Sequence, residues 1–397
     1  MSQKKNILVL TYWSFNDALI QTYTLPYVKQ MAEVISSDSK IFLLTQEKSE
    51  TPKFPELPKI VFIPTAYKAL GFNAAWGWLK TIIKLSILIR KEKIDAIHVW
   101  CTPAGMIGYI LSVLTGRELI IDSFEPHAEA MVENGEWKKD SFAFKLLFRF
   151  EKLQAHRASH LIAISGKMNK YAEEKYQLKK DLKFIKPACV NLNLFSEKNR
   201  KNPELLKRLN LQDKIVGVYA GKFGGIYLEK EAFDFFKAAE TYWGDKFRAL
   251  ILTSNTEKEI ENYRKQSGIK PETITRLFVP HSEIADYIGL GDFAFTPVKS
   301  IPTKACCSPI KDGEYWALGL PVVITKNISD DSDIIKNNQI GSVLEELNEE
   351  AYMKSIKEID ELLKKNSTKE LYNKIRPIAE KYRNFSIAQN IYRQIYG

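Results

Sequence analysis

Short apolar runs rich in Ile, Val and Leu alternate with longer stretches of helical periodicity along almost the whole chain. The runs are apolar throughout and not on every second residue, which a strand with one wet face would show. Continuous apolar strands separated by helices argue for parallel sheets covered on both faces. Asn6–Leu10, Lys40–Leu44, Ile60–Ile63, Ala96–Val99, Glu118–Ile121 and Leu161–Ile164 read as the strands of a first set. The pattern breaks at Ile185–Phe195 (IKPACVNLNLF), and the polar stretch Ser196–Pro203 reads as a linker. It resumes with Ile215–Ala220, Arg248–Leu252, Arg276–Val279, Phe293–Pro297 and Val322–Ile324. The expectation is therefore an α/β chain of two doubly wound domains, residues 1–200 and 201–375. A last helical segment, 376–397, crosses back onto the first domain. That segment belongs to a long amphipathic stretch, Leu371–Ile395, interrupted near Asn384-Phe385-Ser386.

Composition removes several alternatives. Of 397 residues, 45% are hydrophobic and 27% charged, which excludes a disordered chain. Cys101, Cys189, Cys306 and Cys307 are too few for a disulfide framework, and no zinc-ligand spacing is present. No metal site is expected. The uncharged stretch Cys101–Gly116 spans 16 residues and contains Pro103, Gly105 and Gly108. A spanning helix needs about 20 residues, so this reads as a buried segment. The start, Met1-Ser-Gln-Lys-Lys-Asn6, leads directly into a short strand without a secretory apolar core. A reducing cytoplasm is the expected compartment.

The formal net charge of +10 is unevenly spread. Residues 1–200 hold 29 basic and 20 acidic side chains; the remainder holds 29 and 28. Two helical stretches place aromatics beside this charge. Ala74–Lys93 carries Lys80 and Lys84 on one face and Trp76 and Trp78 at its start; Ser141–Arg157 carries Lys145, Arg149 and Lys152 in one stripe beside Phe144, Leu147 and Phe148. Both read as core helices with a solvated edge, or as a surface resting on anionic lipid at the inner face of a membrane. No nucleic-acid-binding pattern is present.

Open α/β sheets bind ligands beyond the carboxyl ends of their strands. The richest candidate there is Cys307–Val323 (CSPIKDGEYWALGLPVV). Ser308 suits an N-cap and Pro309 a first helical position, followed by Ile310 and Lys311. Gly319 and Pro321 end a helix of roughly three turns. Its N-terminus offers free N–H groups to a phosphate. Lys311 in the first turn opposes the helix dipole, which suggests another use, and an anionic ligand supplies one. Glu314, three residues on, shares its face; a carboxylate there accepts two hydrogen bonds from a sugar diol. Gly313 would permit close approach of a ligand. The alternative is a capped helix with a surface Lys–Glu pair.

Two further elements follow strands. In Val216–Gly225 (VGVYAGKFGG), Gly221, Gly224 and Gly225 form a turn whose N–H groups make an anion nest, and Lys222 adds a charge. In Ile120–His127 (IIDSFEPH), Asp122, Glu125 and His127 form the best acid–base cluster of the first half, or each is a hydrogen bonder that stabilises the loop. His98 reads as structural. Tyr12–Asp17 (YWSFND) follows the first strand, with Asp17 a further candidate base.

SPIKDGEYWALGLPVV (Ser308–Val323) resembles the nucleotide-sugar motif of glycosyltransferase family 4, a group of usually retaining GT-B enzymes. IKPACVNLNLF, AGKFGG (Ala220–Gly225), the segment Glu151 to Ser165 and the final Phe385-Ser386 break resemble other parts of that family's pattern, so the likeness spans nearly the whole chain. It implies two facing Rossmann-like domains, with a nucleotide-diphosphate sugar held by the second and an acceptor by the first. Lys222 and Lys311 would hold the diphosphate and Glu314 the ribose. Ser254, Val279 and His281 would line the base pocket, and His127 would lie near the transferred sugar. Where the family has the first Glu of a Glu-x7-Glu pair, this chain has Cys306, which with Cys307 would line the donor-sugar pocket. The family's second phosphate Lys has no clear match; Lys230 is too far along.

The resulting expectation is a metal-independent transferase without cofactor, cytoplasmic or peripheral on the inner face of the membrane. It would use a UDP or GDP sugar and a lipid-linked or glycan acceptor of polysaccharide biosynthesis. Two readings compete with it: a nucleotide-sugar epimerase of the same fold, and a protein that binds a nucleotide sugar without catalysis.

Overall fold

The computed structural model describes residues 4–17, 19–48, 52–67, 72–179 and 182–397, with the side chains of 72–75 outside that set. The first three residues of the amino-terminal reading, and the Ala74 and Ala75 side chains of the first basic helix, thus lie outside the described residues. The chain forms two compact units, one of residues 1–187 with 385–397 and one of residues 188–384. The sequence reading had set these divisions at 200 and 376.

In the first unit, β1 (Asn6–Leu10) leads through α1 (Leu25–Val34) to β2 (Ile41–Glu47) and β3 (Ile60–Ala66). Then α2 (Phe72–Lys91) leads to β4 (Ile94–Trp100), and α3 (Cys101–Thr115) to β5 (Glu118–Phe124). The helices α4 (His127–Glu133) and α5 (Phe142–Arg157) lead to β6 (His160–Ala163), and α6 (Met168–Tyr176) to β7 (Phe184–Ile185). All strands are parallel, in the order β3-β2-β1-β4-β5-β6-β7.

In the second unit, α7 (Pro203–Arg208) precedes β8 (Ile215–Ala220), α8 (Lys230–Trp243), β9 (Phe247–Leu252), α9 (Glu257–Gln266) and β10 (Ile274–Leu277). There follow α10 (Ile284–Ile288), β11 (Phe293–Thr296), α11 (Ile310–Ala317), β12 (Val322–Thr325), α12 (Asp331–Asn338) and β13 (Gly341–Leu344). The helices α13 (Glu349–Lys365) and α14 (Thr368–Tyr382) close the unit, and α15 (Phe385–Tyr396) belongs to the first. The sheet is again parallel, ordered β10-β9-β8-β11-β12-β13.

Both sheets reverse direction beside their first strand, the doubly wound pattern whose switch point is the usual ligand edge. The central strands are buried, β1 along its whole length, while the edge strands β3, β7 and β10 are largely only half-buried. Eleven expected strands are present with ends shifted by a few residues at most. Two strands were not expected. β7 has only two residues, and β13 starts with Gly341 between polar segments. Gly341 is required there: a methyl group in its place would lie 2.0 Å from the Val322 carbonyl oxygen.

α15 joins the first unit through its aromatic face. The Tyr392 hydroxyl donates to Asp122 Oδ2 at 2.7 Å, and Tyr396 Oη lies 2.7 Å from His98 Nδ1. His98 Nε2 in turn lies 3.2 Å from Asp122 Oδ2, and Lys186 Nζ 3.0 Å from Asp122 Oδ1. All of these side chains are buried. Burial would raise the Asp122 pKa, but Lys186, His98 and Tyr392 outweigh it and hold the carboxylate at about 2. This corrects the acid–base reading of Asp122: it is a buried anchor, permanently charged, and not a base for a ligand. His98 is structural, as read.

Candidate functional site

The second unit gathers most of the expected ligand residues along the carboxyl edge of its sheet. Gly221–Gly225 follows β8, Ser254 follows β9, Val279 and His281 follow β10, and Cys306–Pro309 leads from β11 into α11, whose first turn carries Ile310 and Lys311. The loops after β8 and β11, on either side of the switch point, are tied together. Leu228 N donates to Pro297 O at 2.8 Å, and Lys299 N to Ile226 O at 2.9 Å.

The glycine loop is shaped by its neighbours. Gly224 and Gly225 have φ of 88° and 62°, a region that disfavours a side chain. The Tyr219 hydroxyl donates to the Lys222 carbonyl, and Phe223 N to Asn255 Oδ1 at 2.9 Å, while Lys222 itself stays exposed. Gly221 leaves the space in which Lys311 lies. A methyl group there would lie 2.5 Å from Lys311 Cε and 2.9 Å from its Nζ. The Lys311 side chain therefore lies directly across the end of β8. Its ammonium rests on the Tyr227 ring, 3.9 Å from the centroid. Among the described residues neither Lys222 nor Lys311 forms a salt bridge, so both cations are available to an anion.

α11 differs from the expectation in three respects. It has eight residues, little more than two turns, and begins at Ile310, with Pro309 as its N-cap residue. Ser308 does not cap it. The Ser308 hydroxyl accepts instead from Ala188 N at 2.9 Å and from Arg383. Gly313 faces protein, not a ligand: a methyl group there would lie 2.8 Å from Val190 Cγ1 and 3.0 Å from Arg383 Cγ. The helix does end as read, with Gly319 at φ 69°.

Glu314 is partly exposed on the turn after Lys311. Burial of its carboxyl pushes the pKa up to about 7, with Lys311 opposing the shift. Two anchors fix the helix. The Tyr315 hydroxyl accepts from Ala220 N at 3.0 Å, tying α11 to the end of β8. On the other side Asp312 is buried and accepts from the Thr296 hydroxyl. Asp312 lies close to Asp331, which pairs with the buried Arg383. Burial raises the pKa of both carboxyls, more than Arg383 restores. Tyr227, Tyr315, Asp331 and Arg383 carry no sequence signal of this role; they lie 84 or fewer positions from Lys311, and only folding joins them.

The remaining second-unit residues lie at the same edge with fewer ties. Ser254 and His281 are exposed, and Val279 packs partly against the core. Cys306 is buried in a 3-10 turn, Pro302–Cys306, and Cys307 Sγ lies 3.0 Å from the Lys304 carbonyl oxygen. Lys230 pairs with Asp234 at 2.6 Å on α8 and is no phosphate ligand in this arrangement.

In the first unit, Glu125 and His127 are adjacent at the end of β5, with Glu125 Oε1 3.6 Å from His127 Nδ1 and both partly exposed. His127 opens α4. The buried Glu151 carboxylate holds that helix start by accepting from Ala128 N at 2.9 Å; it also accepts from Thr102 Oγ1 at 2.9 Å and Tyr176 Oη at 3.0 Å. Asp17 Oδ1 accepts from Leu19 N at 2.9 Å, within the turn leading to α1.

No protein-family model matches the sequence, and no curated protein does. Solved structures do match. Sucrose-phosphate synthase from Thermosynechococcus elongatus superposes with a TM-score of 0.75 at 14% identity, covering 99% of both chains. A glycosyltransferase from Rickettsia africae gives 0.70 at 14% identity over 99% of this chain and 98% of that one. HepE of Anabaena, solved in complex with UDP-glucose, gives 0.67 at 14% identity over 98% of each chain. The fold is of the GT-B type. At these identities the likeness speaks for the fold alone, and the chemistry has to be argued from the residues.

Proposed function

We propose that the chain is a glycosyltransferase that moves a sugar from a UDP or GDP donor to a lipid-linked or polysaccharide-precursor acceptor. One observation carries this reading: the Lys311 ammonium is seated across Gly221, at the start of α11, with no carboxylate in salt-bridge contact with it among the described residues. Two cations and a helix N-terminus together suit a diphosphate. Glu314, one turn along, suits the ribose diol, and Ser254, Val279 and His281 suit the base. The folds of nucleotide-sugar enzymes, among them one solved with UDP-glucose, support the same choice.

In this reading the donor's C1–O bond to the diphosphate breaks and negative charge develops on the phosphate oxygen. Lys222, Lys311 and the helix start stabilise that charge electrostatically. The acceptor hydroxyl attacks from the leaving-group face, and its proton passes to the departing phosphate, which retains configuration. The reading requires no metal for charge stabilisation, because the two lysines supply it. The acceptor is assigned to the first unit, where Glu125 and His127 stand at a strand end; in an inverting version they and Asp17 are the candidate bases.

The test is a panel of radiolabelled UDP and GDP sugars incubated with the protein and a lipid extract, with calorimetry on UDP and GDP. Labelled product in the lipid or glycan fraction is expected. Isomerised donor would point to an epimerase, and saturable nucleotide binding without product to a binding protein. Absence of any nucleotide binding overturns all three.

A further inference from the structure

The helices α2, α3 and α5 connect β3 to β4, β4 to β5 and β5 to β6, so right-handed crossovers set them side by side on one face of the first sheet. On α2, Trp76, Leu79, Ile83 and Ile87 follow at intervals of three, four and four, a single stripe along one side. They are 68%, 45%, 52% and 60% exposed, whereas Leu85 and Ile89 on the opposite side are fully buried. The sequence admits a core helix with a solvated edge or a surface on anionic lipid; in the structure its apolar residues occupy two faces, one packed and one uncovered.

The uncovered stripe is bordered by Lys80 and Lys84, with Arg90 and Lys91 in the last turn. All four are exposed, and α2 contains no acidic residue. Among the described residues none of the four forms a salt bridge. α3 carries no charge at all, and its last turn exposes Val113 and Leu114. Both helices run antiparallel to the strands, so these two residues lie at the same sheet edge as Ile87 and Arg90. At the start of α5, Phe142 is largely exposed, with Lys138 and Lys139 before it and Lys145 and Arg149 along the helix, all exposed.

We propose that this face docks on an anionic lipid surface. A bilayer interface accepts apolar side chains a few ångströms below headgroups that attract lysine and arginine, and this face offers both in one plane. The charge argues against the other occupants. The core of a protein interface is depleted in lysine. A two-fold contact with a second copy would bring two α2 helices together, each with four cations and no acidic residue to pair them. Nucleic acid would engage the cations and leave Leu79, Ile83 and Ile87 without a partner. The proposal does not depend on the donor reading, because docking is measured with neither donor nor acceptor.

The experiment is co-sedimentation with vesicles of phosphatidylcholine mixed with phosphatidylglycerol, against phosphatidylcholine alone, over a salt series. Binding to the anionic vesicles that weakens with salt is expected, with little on the neutral ones. Lys80→Glu with Lys84→Glu should weaken it by about tenfold or more. Ile83→Ser with Ile87→Ser should weaken it as well, because apolar insertion supplies part of the affinity. These positions are exposed, and thermal unfolding confirms that each variant is folded. Equal partition onto both vesicle types, no binding, or binding insensitive to either pair overturns the proposal. So does a concentration-dependent dimer that the serine pair disperses.

Discussion

Lys311 sits at the positive end of a helix dipole, a placement that costs a few tenths of a kcal/mol by itself. The Tyr227 ring under its ammonium offsets about that much, and Gly221 leaves the space for its stem. Removing the side chain therefore has little effect on stability and a large one on an anionic ligand. For Lys311→Ala we expect UDP or GDP affinity to fall by about tenfold or more, as for a lost charge-assisted hydrogen bond, with Tm nearly unchanged. Calorimetry and a melt check both halves, and undiminished affinity would remove Lys311 from the diphosphate. Glu314 gives a pH signature. Desolvation pushes its carboxyl pKa up to about 7, and only the ionised form accepts both hydroxyls of a diol. Affinity should plateau above that pH and fall below it, by at most about tenfold per pH unit. Glu314→Gln should flatten the profile.

At the scale of the element, α11 is too short to hold its direction by its own hydrogen bonds. Its position comes from Tyr315 bonded to the end of β8 and from the Asp312–Asp331–Arg383 cluster behind it. Arg383 also touches Ser308 and the Ala188 carbonyl, and lies 5.3 Å from the Trp316 ring centre. One buried guanidinium thus fixes both the approach to the helix and its inner face. Arg383→Ala leaves Asp331 buried without its counter-charge, a change worth about 3–5 kcal/mol. We expect a marked drop in Tm together with weakened nucleotide binding. A variant that melts like the parent would show the cluster to be dispensable.

For the whole molecule, the decisive feature is that the last helix belongs to the first unit. Tyr392 and Tyr396 complete the hydrogen bonding of Asp122 and His98, and Phe385 packs edge-on against Tyr27 at 5.1 Å. Deleting residues 385–397 leaves buried polar groups unpaired, at about 1–3 kcal/mol each, and uncovers α1. Limited proteolysis of the truncated chain should digest the first unit while residues 188–384 persist. Equal protection of both units would mean that α15 is an accessory.

The sequence by itself determined the two parallel sheets, because continuous apolar strands separated by helices have few other ways to satisfy their backbones. It also singled out Lys222, Lys311 and Glu314, since charged residues at a helix start and beside a glycine turn stand out locally. Tertiary structure alone decided what surrounds them. Ser308, which suits a cap, was drawn to Arg383; Gly313, which suits ligand approach, makes room for that same arginine. Asp122, grouped by spacing with Glu125 and His127, became a buried anchor for α15. In each case the competing partner lies far away in the chain, and a hydrogen bond or close contact formed across that distance leaves no local pattern to read.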